Sequence, residues 1–187
     1  LLAAGRSHRL KNLPLTLAAW HALDEPRPEL RLFGAEPELA SKPGIVYERT
    51  PSDDRLAELF CEASVFVQTS AHEGFCLPIL EAMASGTPVV CTDADGNRDF
   101  CVDGENCLMV ADRAEDVAAA VARVLADQAL GKRLAAAGIR TAGEYSWESR
   151  IDALEHFFGD VATPRRVKLD TASVPDAIPS GPQESER

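Results

Sequence analysis

The sequence predicts an α/β domain built on a doubly wound parallel sheet, and three observations carry that expectation. Six short apolar runs bounded by turn residues recur along the chain, and helix-like segments separate most of them. At 187 residues with 45% hydrophobic content there is material for one well-buried core. Strand and helix in alternation mark βαβ units, whose crossovers make neighbouring strands parallel and bury both sheet faces.

The expected strands are "LLAAG" (1–5), "RLFG" (31–34), "IVYE" (45–48), "VFVQTS" (65–70), "PVVCTD" (88–93) and "CLMV" (107–110), each a run suited to a strand covered on both faces. The expected helices follow in turn. "NLPLTLAAWHAL" comes after Asn12, "SDDRLAELFCEA" is opened by Ser52 as N-cap, and "LPILEAMAS" is closed by Gly86. Beyond the last strand, 114–127, 129–143 and 146–158 read as successive amphipathic helices that cap the sheet, with Trp20 and Trp147 as core residues. Only ten residues, "AEPELASKPG", separate the second and third strands, which is short for a crossover helix. From Val161 the composition shifts to Pro, Ser and Ala, so residues 1–160 are expected to be the folded domain and 161–187 a disordered tail.

Charge and cysteine usage exclude several classes. Thirty Asp and Glu against 19 Lys and Arg give a net charge of −11, which argues against nonspecific attraction to nucleic acid or an anionic bilayer. An anionic ligand would need a local basic pocket. The five cysteines form no C-x-x-C pair, and their odd count suits free thiols in a reducing, cytoplasmic compartment. No apolar run approaches the length of a transmembrane helix. The chain opens on a core-like strand without an initiator Met, which predicts a longer polypeptide.

The chemistry concentrates at two predicted strand ends. After "VFVQTS" comes "SAHEGFCLPILEAM", in which Glu73 and Glu81 flank seven residues. Pro78 favours a helix start near Leu77, which places Glu81 one turn in, and helix starts attract phosphate while Gly74 lets a backbone approach a ligand. A carboxylate accepts from two neighbouring hydroxyls and repels phosphate, so two glutamates beside an anion-friendly helix start suggest readers of polyols such as ribose and sugar. Taken singly, Glu81 reads as an exposed helix residue and Glu73 as a solvated loop charge. After "LLAAG", Arg6, Arg9 and Lys11 stand within six residues, and Arg6 with Lys11 offers a grip for a diphosphate; a solvated basic loop is the plain alternative.

"GR" at 5–6 with "KN" at 11–12, then "EGFCLPILEAMASGTPVV", then "DGNRDFCVDGENCLMV" resemble the C-terminal, donor-binding domain of retaining glycosyltransferases of the GT-B fold, family 4 (glycosyl transferases group 1). The resemblance runs from Leu1 to about Phe158. It implies a Rossmann-like sheet forming the C-terminal half of a GT-B enzyme. Arg6 and Lys11 would neutralise the leaving nucleoside diphosphate, Glu73 would face the transferred sugar, and Glu81 would bind the ribose. The backbone of Gly74, Phe75, Cys76 and Leu77 would line the donor, and Arg49 and Thr50 fall where the base pocket begins. The implied catalytic set is Glu73, Arg6 and Lys11, with no metal and no cofactor beyond the nucleotide-sugar substrate. The partner implied is an N-terminal acceptor-binding domain absent from this chain, through which the enzyme would reach a membrane surface peripherally.

The sequence departs from the family at several points. Cys76 and Cys107 stand at positions where glycine is usual, Asp95 replaces a common glycine, and Asp99 a common glutamate. Asp93, Asp95, Asn97 and Asp99 imitate a calcium loop but lack its glycine and terminal glutamate. His72 adjoins Glu73 as a further substrate contact, while the other histidines lack metal-ligand spacing. Cys76 has no local basic group to activate it and reads as a packing residue rather than a nucleophile. The functional expectation is hexosyl transfer with retention from a nucleoside-diphosphate sugar to an acceptor hydroxyl. Two alternatives stand beside it: a non-catalytic nucleotide-sugar-binding module that pairs with a separate acceptor subunit, and a sugar-nucleotide epimerase of the same fold.

Overall fold

A computed structural model describes residues 1–6, 8–36 and 43–162. Residues Leu1–Arg150 form one unit and Ile151 onward a second.

The first unit is a six-stranded sheet made of β1 (Leu2–Ala4), β2 (Leu30–Gly34), β3 (Ile45–Arg49), β4 (Phe66–Gln68), β5 (Val89–Thr92) and β6 (Leu108–Val110). Every adjacent pair is parallel, and the spatial order is β3-β2-β1-β4-β5-β6. The six apolar runs therefore became the six strands. Their period of two divides the core between the faces. Leu2, Phe66, Val89 and Cys91 point into one apolar cluster with α2 (Asp53–Glu62) and α3 (Leu77–Ala84). Ala3, Val67, Val90 and Leu108 point into the other with α1 (Leu13–His21) and α4 (Ala114–Ala126). Helix α5 (Gln128–Glu144) adds Leu130 and Leu134 to this second cluster.

Helix boundaries follow local signals. The Ser52 hydroxyl accepts from the Arg55 N–H at 3.3 Å and fixes the start of α2. Asp127 does the same for Leu130 at the start of α5. At the end of α3, Gly86 adopts φ 71°, a left-handed turn that glycine enters without a Cβ penalty.

One expectation is corrected: Trp147, expected in the core, opens α6 (Trp147–Ala162) and is 78% exposed. Amphipathic spacing specifies which side of a helix is apolar but not what covers it. Trp20, by contrast, is buried and donates its indole N–H to the Pro28 carbonyl at 2.8 Å. Helix α6 ends at Ala162. The remainder of the expected tail, 163–187, and the centre of the short connection, 37–42, lie outside the described residues.

Candidate donor-binding site

Strand order reverses direction between β1 and β4, and in open α/β sheets the crevice at the carboxyl ends of two such strands is where ligands bind. Both predicted chemical segments emerge there. β1 leads through Gly5 and Arg6 into the 3-10 turn Arg9–Lys11, and β4 leads through Thr69 and Ser70 to Glu73. The segments are tied together by the Ala71 N–H donating to the Leu10 carbonyl at 2.9 Å and by the Thr69 hydroxyl donating to the Asn12 carbonyl at 3.1 Å. Asn12 accommodates the junction with α1 in a left-handed conformation, φ 49°.

Lys11 and Glu73, 62 positions apart in sequence, form the central pair. Lys11 Nζ donates to both carboxylate oxygens of Glu73 at 2.7 Å. Glu73 is not the solvated loop charge of the plain reading: its side chain is 5% exposed. Its Oε1 also accepts from Ser70 Oγ at 2.6 Å and Gln68 Nε2 at 2.9 Å. Burial pushes the Glu73 carboxyl pKa up, but hydrogen bonds from Lys11, Ser70 and Gln68 outweigh it and hold the group below its ordinary range. Oε1 accepts from three donors, whereas Oε2 accepts from Lys11 and keeps acceptor capacity.

Gln68, Ser70 and Thr92, which the sequence reading did not single out, hold Glu73 and its segment in place. Thr92 on β5 donates to the Ser70 carbonyl at 2.7 Å and so fixes the segment that holds Glu73. The available signal was polarity: "QTS" ends an otherwise apolar strand, and all three residues are buried.

Arg6, on the segment that leaves β1, is exposed and forms no ion pair among the described residues. Gly74 also faces open space, since a Cβ built there meets nothing within 4 Å. Its neighbour Gly96 is the opposite case. A Cβ on Gly96 would lie 2.5 Å from the Gly74 carbonyl carbon, because the 3-10 turn Asp95–Asn97 packs directly under the 73–75 loop. The Gly96 N–H donates to the Glu73 carbonyl at 2.9 Å and completes that contact. Phe75 closes the loop from the other side, its ring 5.4 Å from Phe100 and 5.8 Å from Tyr145.

Cys76 is the N-cap of α3 and sits at φ 64°, a left-handed conformation that explains why glycine suits this position. Burial pushes its thiol up to about 12, and the Glu73 carboxylate adds to the rise. It is a packing residue, as expected, and not an activated nucleophile. Leu77 begins α3 and is exposed.

Glu81 lies away from the Lys11–Glu73 pair, on the side of α3 that faces α2. It lines a cleft of about 310 Å³ with Asp53, Leu56, Ala57, Phe60, Ala84 and Ser85. Surrounding protein atoms and, secondarily, the Asp53 carboxylate raise its carboxyl pKa, although the residue is solvent-accessible. Arg49 and Thr50 are exposed on the segment leading into α2, and Thr50 donates its N–H to the Gly34 carbonyl at 2.7 Å. His72 Nδ1 is 2.9 Å from Asp95 Oδ2, and Arg98 bridges Asp95 and Asp93. The aspartate-rich segment is thus a surface turn held by an arginine, as its sequence suggested.

A parallel sheet in the order 3-2-1-4-5-6, with a basic and a carboxylate group meeting at its switch point, defines an α/β domain of the Rossmann-like class. The family described as "Glycosyl transferases group 1" matches residues 1–127, and the chain belongs to that family. A D-inositol 3-phosphate glycosyltransferase from Streptomyces avermitilis is 34% identical over 174 residues, covering 81% of this chain and 38% of that protein. HepE from Anabaena, solved in complex with UDP-glucose, superposes with a TM-score of 0.75 at 17% identity, over 85% of this chain and 48% of that one. The C-terminal domain of the group 1 family protein LpcC from Francisella tularensis superposes with a TM-score of 0.68 at 22% identity, over 78% of this chain and 86% of that one. The chain spans only 22% to 44% of the length of the first four curated relatives it matches. No described helix is long and apolar enough to cross a membrane.

Proposed function

We propose that this chain is the donor-binding, C-terminal half of a retaining GT-B glycosyltransferase. It would hold a nucleoside-diphosphate sugar while an acceptor-binding domain, supplied by further polypeptide, presents the hydroxyl to be glycosylated. The observation that carries this reading is the convergence of Lys11 and Glu73 at the β1/β4 switch point, with an exposed Arg6 on the segment that leaves β1.

The chemistry follows from the geometry. Two of the three ammonium donors of Lys11 are used by Glu73, which fixes the lysine in place and leaves one donor for a phosphate oxygen. Arg6 supplies a full guanidinium fork to the same diphosphate. As the glycosidic bond to the diphosphate breaks, negative charge grows on the leaving oxygen and positive charge on the sugar. Fixed cations at the leaving side stabilise that separation without reorganisation, and in this reading no metal is required. Glu73 Oε2 retains acceptor capacity for a sugar hydroxyl, and its charge favours an oxocarbenium-like centre nearby. Glu81, in the cleft between α2 and α3, would accept from the two ribose hydroxyls, with the segment carrying Arg49 and Thr50 beside the base. Gly74 leaves the donor loop open, and the backbone from Gly74 to Leu77 would line sugar and phosphates. The UDP-glucose held by HepE supports a nucleotide-sugar ligand for this fold. In this reading the enzyme is cytoplasmic and meets a membrane only peripherally.

The test is a thermal-shift titration with UDP, GDP and ADP and their hexose conjugates. At about 100 times its Kd, one nucleotide series should add about 2.7 kcal/mol, raising Tm by roughly 5–10 °C. Arg6→Ala and Glu81→Ala should each suppress the shift. If no nucleotide moves the Tm of the folded chain, the donor-site reading fails. Retention is read from the anomeric configuration of product made by the chain joined to an acceptor domain.

A further inference from the structure

Three cysteine side chains from separate segments converge in the apolar cluster beneath α3. Cys91 lies on β5, Cys101 follows the 3-10 turn Asp95–Asn97, and Cys107 immediately precedes β6. Their Sγ atoms all lie within 4.8 Å of one another, and the residues are 1%, 6% and 0% exposed. All three are free thiols.

The backbone holds each of them in place independently of the sulfurs. Cys91 is paired with Met109 in the β5–β6 ladder. The Cys101 N–H donates to the Asn97 carbonyl at 2.8 Å, and the Cys107 carbonyl accepts from the Gly104 N–H at 2.9 Å. The triad is therefore preformed. Three sulfurs bound at about 2.3 Å around one ion stand roughly 4 Å apart, inside the spacing already present.

We propose that Cys91, Cys101 and Cys107 form a three-sulfur site for a soft, thiophilic metal or metalloid ion. The site shares none of its three ligands with the Lys11–Glu73 pair, and the proposal does not depend on the donor-binding reading. Its shell, which includes Val89, Met83 and Phe100, is apolar, so the net charge of the complex decides which ions it holds best. Three thiolates around a divalent d10 ion such as Cd²⁺ leave one negative charge, with three protons released to solvent. Arsenite leaves none: As(OH)₃ and three thiols give As(SR)₃ and three waters, each As–O bond exchanged for an As–S bond with no change of oxidation state. Occupation would join β5, the 98–107 segment and β6 behind the turn on which the 73–75 loop rests.

The test uses the full 187-residue chain, reduced and carrying Cys61→Ser to remove the exposed thiol. Cd²⁺ and arsenite are titrated separately. Bound ion is counted by mass spectrometry after desalting, and sulfur-to-metal charge transfer is followed in the ultraviolet. One ion per chain is expected, together with a rise in Tm of several degrees and at least about a hundredfold loss of affinity in Cys91→Ala, Cys101→Ala and Cys107→Gly. X-ray absorption of the loaded chain, which requires no cluster variant to fold, should count three sulfur neighbours. A folded, reduced chain that retains neither ion overturns the proposal, as does equal retention by all three variants or a first shell with fewer than three sulfurs.

Discussion

Lys11→Met is the most informative single perturbation of the crevice. It leaves the Glu73 carboxylate, 5% exposed, facing only Ser70 and Gln68, whose neutral hydrogen bonds contribute about 0.5–1.5 kcal/mol each. Breaking a fully buried ion pair from one side costs about 3–5 kcal/mol; Lys11 is 27% exposed, so water enters the gap and about 2–3 kcal/mol is expected. That corresponds to a fall in Tm of roughly 4–12 °C. Glu73→Gln loses the charge-assisted bond but also the buried charge, for about 1–2 kcal/mol. The double variant should resemble Glu73→Gln alone, giving a coupling energy of about 2 kcal/mol by urea unfolding.

The same substitution predicts a pH signature. In the wild type, Glu73 is held below its ordinary pKa, so its contribution is fully present above the ordinary carboxylate range and is lost as pH falls through the folded value. In Lys11→Met the burial persists without its main opponent, which lifts the folded pKa above ordinary. The penalty is then full at neutral pH and fades as pH falls through that raised value. The stability gap between wild type and variant should therefore be widest near about pH 7 and narrower near about pH 4. A coupling below about 0.5 kcal/mol, or a gap that ignores pH, would refute the ion pair as the organiser of this crevice.

Other outcomes separate the scaffold from the ligand-facing surface. Gly96→Ala drives a Cβ to 2.5 Å from the Gly74 backbone and should cost about 1–3 kcal/mol in thermal or urea unfolding, with the 73–75 loop displaced. Gly74→Leu points into open space and should leave unfolding within about 0.5 kcal/mol, while weakening nucleotide-sugar binding by about tenfold or more in calorimetry. Arg6→Ala should likewise leave stability within about 0.5 kcal/mol and reduce nucleotide diphosphate affinity, with the loss shrinking as salt is raised.

The six strands were legible because each is a short apolar run between turn residues, a pattern set within the segment itself. Helix starts and stops were legible for the same reason: Ser52 caps the N–H three residues on, and Gly86 enters its left-handed turn, without reference to the rest of the chain. The spacing of Arg6, Lys11, Glu73 and Glu81 at strand ends, together with the family resemblance, was enough to nominate them. What the sequence could not carry was which of these groups meet and how far each is withdrawn from water. Taken singly, Glu73 read as a loop charge because its burial depends on Gln68 and Ser70 turning inward and on β1 lying beside β4, which brings up Lys11 from 62 residues away along the chain. Asp53 acts on Glu81 only because α2 packs beside α3. Trp147 was correctly placed on a helix yet is exposed, since periodicity names a face and not its cover. Cys91, Cys101 and Cys107 are unremarkable in sequence and adjacent in space, because strand pairing between β5 and β6 closes the loop that carries the second and third of them against the first. Local chemistry fixed the elements, and the parallel crossovers, which bring distant strand ends to one edge of the sheet, decided the site.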